Sequence, residues 1–228
     1  MKILFFLAVW QRPEITEICF MGLQRLMKKY DAESLAMISE DSMIQLCEKY
    51  GIMWYMHDNL PIGRKKNHGL KHALKIEWDY VIELGSDDLI KDDLIELYKP
   101  HFGERDFLLI DSIAFVNSKT GACRYVQSRS HYGLGRCLSR KVIEQTEVYS
   151  DKINQGIDKY VLFHLTLKGF SPKFIHTERP LTIDIKSDVN IWKYSSSVGR
   201  KISFRQVVEG LGEDEIEAIE SLRYATVA

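Results

Sequence analysis

This sequence has few of the features that mark disulfide-rich, zinc-binding or membrane-spanning proteins. Its four cysteines form no Cys-x-x-Cys pair and have no histidine at zinc-ligand spacing, which favours a reducing, cytoplasmic environment. No apolar run is long enough to cross a bilayer, and the opening run at 1–10 lacks the cleavage site of a signal peptide, so we expect a buried strand there. Acidic and basic residues nearly balance, at a net charge of −1, so the chain as a whole has no basic excess that would attract nucleic acid.

Motifs of several common enzyme classes are also absent. A dinucleotide-binding oxidoreductase would carry a glycine-rich turn after its first strand, but the segment 10–13 contains no glycine. The chain also lacks a P-loop and any local signature of a serine or cysteine nucleophile. No linker, repeat or low-complexity tract divides it, so we expect one domain over 1–228, with halves 1–100 and 101–200 and a helical tail at 201–228.

The spacing of apolar residues predicts alternating strands and helices in the first half. Strands are expected within 1–10 and at 34–38, 52–56 and 80–84, and each is separated from the next by an amphipathic helix. Strands connected by helices pair in parallel through right-handed crossovers, so the order β-α-β-α-β-α-β predicts an α/β fold with a doubly wound sheet. Such sheets bind ligands beyond the carboxyl ends of their strands. Those ends carry polar residues at Arg12, 39–41, Asp58, Asn59, Asp87 and Asp88.

The second half is expected to form a smaller, mixed region. Two apolar segments, 113–117 and 122–127, flank a turn and predict a hairpin. Helices are expected near 139–146 and 153–168, and short strands near Phe174 and at 181–185. The segment 209–220 contains six acids and no base, which predicts a solvated helix.

The strongest single signal is an apolar strand that ends in two adjacent carboxylates. The strand at 80–84 is followed by Gly85, Ser86, Asp87 and Asp88. Carboxylates at a strand end can hold a hard divalent cation, and ligation by oxygen alone favours Mg²⁺ or Mn²⁺ over Zn²⁺. The alternative is structural, because either aspartate could cap the helix that follows. Their placement at the ligand end of the sheet favours metal binding.

In their order, these elements resemble the nucleotide-sugar glycosyltransferases of the GT-A fold, particularly the family 2 type, over roughly the first 170 residues. In that family a strand and a helix open the fold, as at 9–13 here. An acidic turn such as 39–42 holds the nucleobase, and a basic segment such as 59–69 faces the base or the diphosphate. The resemblance implies a Rossmann-like, mostly parallel sheet and a nucleotide-sugar donor. The donor contacts it implies are Arg12, Glu40, Gly63, Lys66, Asn67, Ser86 and Asp87, with Arg64 and Lys65 as further basic candidates.

The metal-binding triplet of this family, Asp-x-Asp, falls on residues 85–87, where Gly85 replaces the first acid. The resemblance then implies that Asp87 binds Mn²⁺ or Mg²⁺ and that Asp88 supports it. His176 ends a short predicted strand and is a further candidate ligand, with a structural role as its alternative. A metal-independent mode that uses lysine or arginine stays open.

A catalytic carboxylate in such enzymes stands at the start of a helix below the acceptor site, and the segment 155–159 resembles that place. The resemblance implies that Asp158 accepts the proton of the acceptor hydroxyl during attack. The competing interpretation is an acid in the first turn of a helix, which the helix dipole favours without any catalytic role.

Two further parts of the sequence allow more than one interpretation. The segment 119–141 has no acid and could bind an anionic partner, namely the donor diphosphate, a phosphorylated lipid acceptor or nucleic acid, or could be a solvated edge balanced by the acidic tail. The segments 184–187 and 190–193 could form a lid over the donor, or could pack Trp192 on the core. The basic residues of the first segment are Lys119, Arg124, Arg129, Arg136, Arg140 and Lys141.

The sequence therefore predicts a glycosyltransferase that moves a sugar from a nucleotide-sugar donor to an acceptor hydroxyl. A nucleotidyltransferase of similar fold is one alternative, although such proteins normally carry a glycine-rich basic loop after the first strand. A catalytically inactive module that binds a sugar or a nucleotide is another, because Gly85 replaces a motif acid. The residues do not identify the sugar, the acceptor or the stereochemical outcome.

Overall fold

The computed structural model describes residues 1–127, 132–187, 194–195 and 198–224, which form an α/β fold with two sheets. The strands are β1 (Ile3–Ala8), β2 (Ala32–Ile38), β3 (Met53–Met56), β4 (Tyr80–Gly85), β5 (Asp88–Ile90), β6 (Phe107–Ile110), β7 (Ser112–Asn117), β8 (Cys123–Gln127), β9 (Cys137–Ser139), β10 (Lys173–Ile175), β11 (Thr182–Lys186) and β12 (Arg200–Ile202). The helices are α1 (Pro13–Lys29), α2 (Ile44–Tyr50), α3 (Ile62–Ala73), α4 (Asp92–Tyr98), α5 (Arg140–Gln145), α6 (Ile157–Leu167), α7 (Phe204–Val208) and α8 (Glu213–Tyr224).

The larger sheet has seven strands in the order β10-β6-β9-β4-β1-β2-β3. Strand β1 pairs in parallel with β2 and β4, and β2 pairs in parallel with β3, which confirms the predicted doubly wound order. Strand β9 is antiparallel to both of its neighbours, β4 and β6. Three strands from the second half of the chain thus complete a sheet that the first half begins.

Strand β1 shows why this sheet needs helices on both faces. Phe5 and Leu7 pack in one apolar cluster with residues of α1 and α2, whereas Leu4 and Phe6 pack in a second cluster with residues of α3. Successive side chains of a strand point to opposite faces, so a strand covered on both sides is apolar throughout. The neighbouring strand β4 departs from this apolar pattern at Glu83, which is charged and yet buried.

The smaller sheet has five strands in the order β12-β8-β7-β11-β5. Its antiparallel β7–β8 pair confirms the hairpin that the sequence predicts. The chain passes from β4 of the larger sheet to β5 of the smaller one through Ser86 and Asp87. In the antiparallel β5–β11 pair, Asp88 lies opposite Asp184. The two sheets therefore meet at the carboxyl end of β4, the edge where the sequence predicts a site.

The acidic segment near the C-terminus is helical, but the expectation that it is simply solvated is wrong. Helix α8 packs against α1, and its Ile219 is buried. Its Glu215 is also buried and forms an ion pair with Arg25 of α1, at 2.6 Å between Oε1 and Nε. An acid of α8 is therefore part of the packed interior. Among the described residues, no helix is long and apolar enough to cross a membrane.

Candidate active site

Three aspartates form a cluster where the two sheets meet. Asp87 and Asp88 follow β4, and Asp184 on β11 is brought to them by its register opposite Asp88. One carboxylate oxygen of each lies within 4.8 Å of the others, and within the described ranges no other three His, Cys, Asp or Glu residues are so placed. The sequence analysis identified Asp87 and Asp88. The predicted strand at 181–185, which contains Asp184, is confirmed as β11, whereas the lid considered for 184–187 is wrong for 184–186, because these residues form a buried strand.

The cluster concentrates negative charge in a largely buried part of the structure. Burial, and then the charge of Asp87, raises the pKa of Asp184 from its usual 3.8 to about 7. Burial, together with Asp87 and Asp184, raises the pKa of Asp88 as well. Two cations offset part of this charge: Arg12 Nη1 lies 2.7 Å from Asp87 Oδ2, and Lys186 Nζ lies 2.5 Å from Asp184 Oδ2. Like charges held this close together favour an additional cation.

The donor set fits a hard divalent metal ion. All three residues offer carboxylate oxygens, the ligands that Mg²⁺ and Mn²⁺ prefer. Asp184 Oδ1 is buried and has no hydrogen-bond partner in the described structure, so one oxygen of the cluster is available for a ligand. The sequence-predicted ligand His176 is not in this cluster. Its Nδ1 lies 2.7 Å from Asp111 Oδ2, beyond the ends of β6 and β10.

The structure gives a physical reason for glycine at position 85. A Cβ atom there would lie 2.8 Å from an oxygen of Asp87 and 2.8 Å from an oxygen of Asp88, closer than real Cβ atoms approach such groups. The Gly85 N–H also donates a hydrogen bond to Asp88 Oδ2. An acid at this position would therefore displace the two carboxylates that follow it. Asp184 supplies the third acid of the cluster from another strand.

Arg12 reaches the cluster through an unusual backbone conformation. Gln11 and Arg12 have φ angles of 56° and 58°, in the left-handed region that residues other than glycine rarely adopt. The conformation aims the guanidinium at Asp87 and lets Nη2 donate to Ser86 Oγ at 3.1 Å. The Gln11 N–H donates to Glu40 Oε2 at 3.2 Å, so the predicted nucleobase residue supports the same turn. Backbone strain of this kind occurs most often at functional sites.

Two adjoining cavities open beside the cluster. The first, of about 270 Å³, is lined by residues that include Arg12, the three aspartates and Asp158. The second, of about 690 Å³, is lined by residues that include Lys66, Asp88, Asp158 and Lys159. Asp88 and Asp158 border both. The structure therefore brings two of the predicted metal ligands, Asp87 and Asp88, and the predicted catalytic base to adjoining cavities, although they are far apart in the sequence.

A buried charge network lies behind Asp158. Arg136 Nε donates to Glu83, and its Nη2 donates to the Tyr149 hydroxyl at 2.9 Å. The same hydroxyl donates to Glu83. Burial opposes ionisation of Glu83, but Arg136 and Lys66 lower its pKa overall. Arg136 Nη1 is 3.5 Å from Asp158 Oδ1, so the network presents a fixed positive charge to that carboxylate.

Glu83 and Tyr149 are not among the residues that the sequence predicts near the site. A charged residue inside the otherwise apolar strand 80–84 was the available signal. The sequence also predicts that Arg136 belongs to a basic surface segment, but Arg136 is buried, and Arg140 and Lys141 pair with Glu144 and Asp106. Arg129 and the lid candidates at 190–193 lie outside the described residues.

Gly63 and Asn67, both predicted donor contacts, line neither cavity and instead hold the chain that leads to α6. Asn67 donates to Tyr149 O at 2.9 Å and to Asp151 Oδ1 at 2.8 Å. The Gly63 N–H donates to Ile153 O at 3.2 Å, and a Cβ on Gly63 would collide with Ser150 O. Both residues therefore contact the segment that precedes Asp158.

We expect Gly63→Ala to destabilise the fold by about 1–3 kcal/mol, because the added methyl group must push two backbones apart. Urea denaturation measures the change. Arg64→Ala, at the neighbouring exposed position of α3, is the matched control and should stay within about 0.5 kcal/mol of the wild type. Equal stability of the two variants would contradict the close approach.

Lys65 does not face the cavities as the sequence analysis expected. Its side chain is fully buried, and Nζ donates to Val9 O at 2.6 Å, to Ser39 Oγ at 2.7 Å and to Asn59 Oδ1 at 3.3 Å. It therefore links the ends of β1 and β2 to the loop after β3. Burial lowers the pKa of Lys65 from its usual 10.5 to about 7, although Glu40 opposes the shift.

This shift predicts a pH dependence of stability. Between pH 7 and 10.5 the unfolded chain binds a proton at Lys65 that the folded chain does not, so the free energy of unfolding should rise with pH in that window. Relative to Lys65→Met, which has no titrating group there, the wild type should gain about 1.4 kcal/mol per pH unit. Urea denaturation of both proteins at pH 7.5, 8.5 and 9.5 tests this. A difference that stays constant with pH would contradict it.

Comparison with known proteins gives the fold but no close relative. No protein-family model matches the sequence, and no curated protein matches it. Solved structures do match. One is S. aureus TarS 1–349 in complex with UDP, with a TM-score of 0.57 and 17% identity over 82% of this chain. Another is the mannosyltransferase PcManGT from Pyrobaculum calidifontis in complex with GDP-Man and Mn²⁺, with a TM-score of 0.57 and 9% identity over 99% of this chain and 74% of that one.

The fold is GT-A-like. The chain spans 61% of the length of the TarS 1–349 structure and 37% of a longer TarS chain. A third match is 4-diphosphocytidyl-2C-methyl-D-erythritol synthase from Anaerococcus prevotii, with a TM-score of 0.52 and 13% identity over 98% of this chain and 96% of that one. At these identities the likeness concerns the fold, and the chemistry must be argued from this chain's own residues.

Proposed function

We propose that the protein is a transferase that moves a sugar from a nucleotide-sugar donor to an acceptor hydroxyl. One observation carries the proposal: the Asp87, Asp88 and Asp184 cluster and the carboxylate of Asp158 border the same space in a GT-A-like fold. Separate groups are thereby available for the diphosphate and for the acceptor proton. We propose that Mn²⁺ or Mg²⁺ binds at the three aspartates.

Breaking the bond between the sugar and the diphosphate leaves extra negative charge on the nucleotide. A divalent ion would neutralise part of that charge as it develops. Arg12 adds a cation fixed at the cluster by Asp87 and Ser86, and Lys66 adds another from the second cavity. Charges held in place before the reaction stabilise the transition state without reorganisation. If the reaction needs no metal, Arg12, Lys66 and Lys186 would stabilise the charge that develops on the diphosphate.

Asp158 is the proposed general base. The acceptor oxygen forms a bond to the anomeric carbon, the bond from that carbon to the phosphate oxygen breaks, and the acceptor proton passes to Asp158. Asp158 is half-buried at the first turn of α6 and accessible from both cavities. Arg136 Nη1 lies 3.5 Å from Asp158 Oδ1 and helps to fix the position of this carboxylate. We propose that the acceptor binds in the second cavity, beside Lys66 and Lys159.

The second candidate is nucleotidyl transfer. It is supported by the structural match to 4-diphosphocytidyl-2C-methyl-D-erythritol synthase, which covers nearly the whole of both chains. The two reactions release different products. A glycosyltransferase releases a nucleoside diphosphate from a nucleotide sugar, whereas a nucleotidyltransferase releases pyrophosphate from a nucleoside triphosphate.

The four cysteines are buried and free, which supports a reducing, cytoplasmic location for either reaction.

Product analysis tests the proposal. UDP-, GDP- and CDP-sugars, and separately CTP and UTP with sugar phosphates, are incubated with the protein and Mn²⁺ or Mg²⁺. We expect nucleoside diphosphate release from a nucleotide sugar that is lost in Asp158→Asn. Pyrophosphate release from a triphosphate would establish the second candidate. Nucleotide-sugar binding with no turnover over a panel of hydroxyl acceptors would favour the inactive binding module.

A further inference from the structure

Helix α6 carries apolar side chains on two opposite sides. Val161 and Leu165 are buried and pack in the core, as expected for the inner side of a helix on a sheet. Phe163 and Leu167 each come two positions later, on the far side of the helix, and point away from the core. They are 69% and 73% exposed, more than any other large apolar side chain of the described residues. We call this side, from Lys159 through Phe163 to Leu167, the outer face of α6.

The outer face is a continuous surface and not a set of scattered side chains. Residues 159, 163 and 167 are spaced by four, and side chains at this spacing are neighbours on a helix. Tyr160, which is partly buried, lies beside Phe163 at a spacing of three. Single exposed apolar residues are ordinary, whereas adjacent ones indicate a surface that meets something other than water.

The charge along this part of the chain is positive. From 159 to 177 the sequence contains three lysines, Lys159, Lys168 and Lys173, and no aspartate or glutamate. All three lysines are exposed, and within the described ranges none of them forms an ion pair. Three acids of neighbouring segments already have partners: Glu144 pairs with Arg140, Glu147 with Lys71 and Asp106 with Lys141. The outer face therefore combines apolar side chains with cations that remain available.

We propose that the outer face of α6 binds the surface of a lipid bilayer that carries negatively charged head groups. Phe163 and Leu167 enter the boundary between head groups and acyl chains, and the lysines contact lipid phosphates. Lys159 also lines the second cavity, so this surface begins at the rim of the proposed acceptor site. The binding itself does not depend on the proposed reaction.

The same charges disfavour a second copy of the chain as the partner of this face. Two copies of α6 packed through Phe163 and Leu167 would bring lysines together, and the outer face has no acid to pair with them. An anionic bilayer supplies both an apolar layer and the opposite charge. A helix face of this size binds weakly and reversibly, with an affinity that rises with the anionic lipid content and falls with salt.

Co-sedimentation with vesicles tests the proposal. The vesicles are phosphatidylcholine alone or with about 30% phosphatidylglycerol, in about 50 or 500 mM NaCl. We expect the wild type to bind the anionic vesicles in low salt, at least tenfold more weakly in high salt, and not to bind phosphatidylcholine alone. Each lysine near an anionic surface contributes about fivefold to binding, so Lys159→Gln with Lys168→Gln should weaken it about tenfold or more.

The apolar contribution is tested by Phe163→Ser combined with Leu167→Ser. Both side chains are exposed, so this double variant should fold as the wild type does, which urea denaturation checks. We expect at least tenfold weaker binding to anionic vesicles. The matched control is Met56→Ser with Leu60→Ser, which removes two exposed apolar side chains outside α6 and should leave vesicle binding unchanged.

No binding of the wild type to anionic vesicles, or equal binding by the wild type and the Phe163 and Leu167 double variant, would overturn the inference. Sedimentation velocity without lipid tests the other partner: a wild-type dimer that the double variant cannot form would also overturn it. Vesicle binding is measured without substrate, so failure of the product assay for glycosyl transfer would leave the result unaffected.

Discussion

Replacing Asp184 by asparagine is expected to lower the rate of nucleoside diphosphate release about 100-fold or more and to leave the protein folded. The carboxylate is one of three that face the proposed cation, and Asp184 Oδ1 has no other partner among the described residues. Fixed groups that stabilise charge in a transition state are each worth about 10²–10³ in rate. Asparagine keeps the shape and removes one negative charge.

We expect Asp184→Asn to raise the free energy of unfolding or to leave it nearly unchanged. Burial beside Asp87 already raises the pKa of Asp184, so the charge of Asp184 is disfavoured in the protein without a cation. The measurements are initial rates at several Mn²⁺ concentrations and urea denaturation without metal. Asp106→Asn, a carboxylate bound to Ser139 and Lys141 away from the cavities, is the control and should keep its activity. An active Asp184→Asn enzyme with unchanged dependence on Mn²⁺ would contradict the assignment.

The second large effect concerns stability. Arg136→Met is expected to destabilise the protein by about 3–5 kcal/mol, because it leaves the carboxylate of Glu83 buried without its cation. Both side chains are 1% exposed, so water cannot replace the lost partner. By the same argument, Glu83→Leu alone should be strongly destabilising.

The double variant tests the pairing itself. Arg136→Met with Glu83→Leu removes both charges, and we expect its loss of stability to be smaller than the sum of the two single losses by about 1–3 kcal/mol. Urea denaturation of the four proteins gives this coupling. Lys71→Met removes an exposed ion pair with Glu147 and should change stability by about 1 kcal/mol or less. Additive losses in the cycle would show that the two side chains do not act as a pair.

The parts of this fold that follow local rules were predictable from the sequence. Apolar strands between amphipathic helices predict the parallel order of β1 to β4, and the polar strand ends predict where the site lies. Arg12, Asp87 and Asp88 could be found in this way because each lies within four residues of the carboxyl end of a strand of the larger sheet.

The remaining site residues depend on pairing between distant segments. Asp184 joins the cluster through the antiparallel register of β5 and β11, and no local pattern specifies which strands will pair. Gly63 and Asn67 matched a motif, but their actual contacts are with residues 149–153, which the motif does not mention. Lys65 looked like its two basic neighbours, yet it is the one that points inward. Such distinctions arise from packing and not from residue type.

The proposed function requires a metal-bound diphosphate to lie at the three aspartates. The most direct measurement is a crystal structure with Mn²⁺ and UDP, with anomalous data collected at the manganese edge. We predict a single strong anomalous peak within bonding distance of oxygens of Asp87 and Asp184, with the diphosphate beside Arg12. A peak at Asp111 and His176, or a diphosphate bound away from Arg12 while the three aspartates contact only protein atoms, would contradict the account.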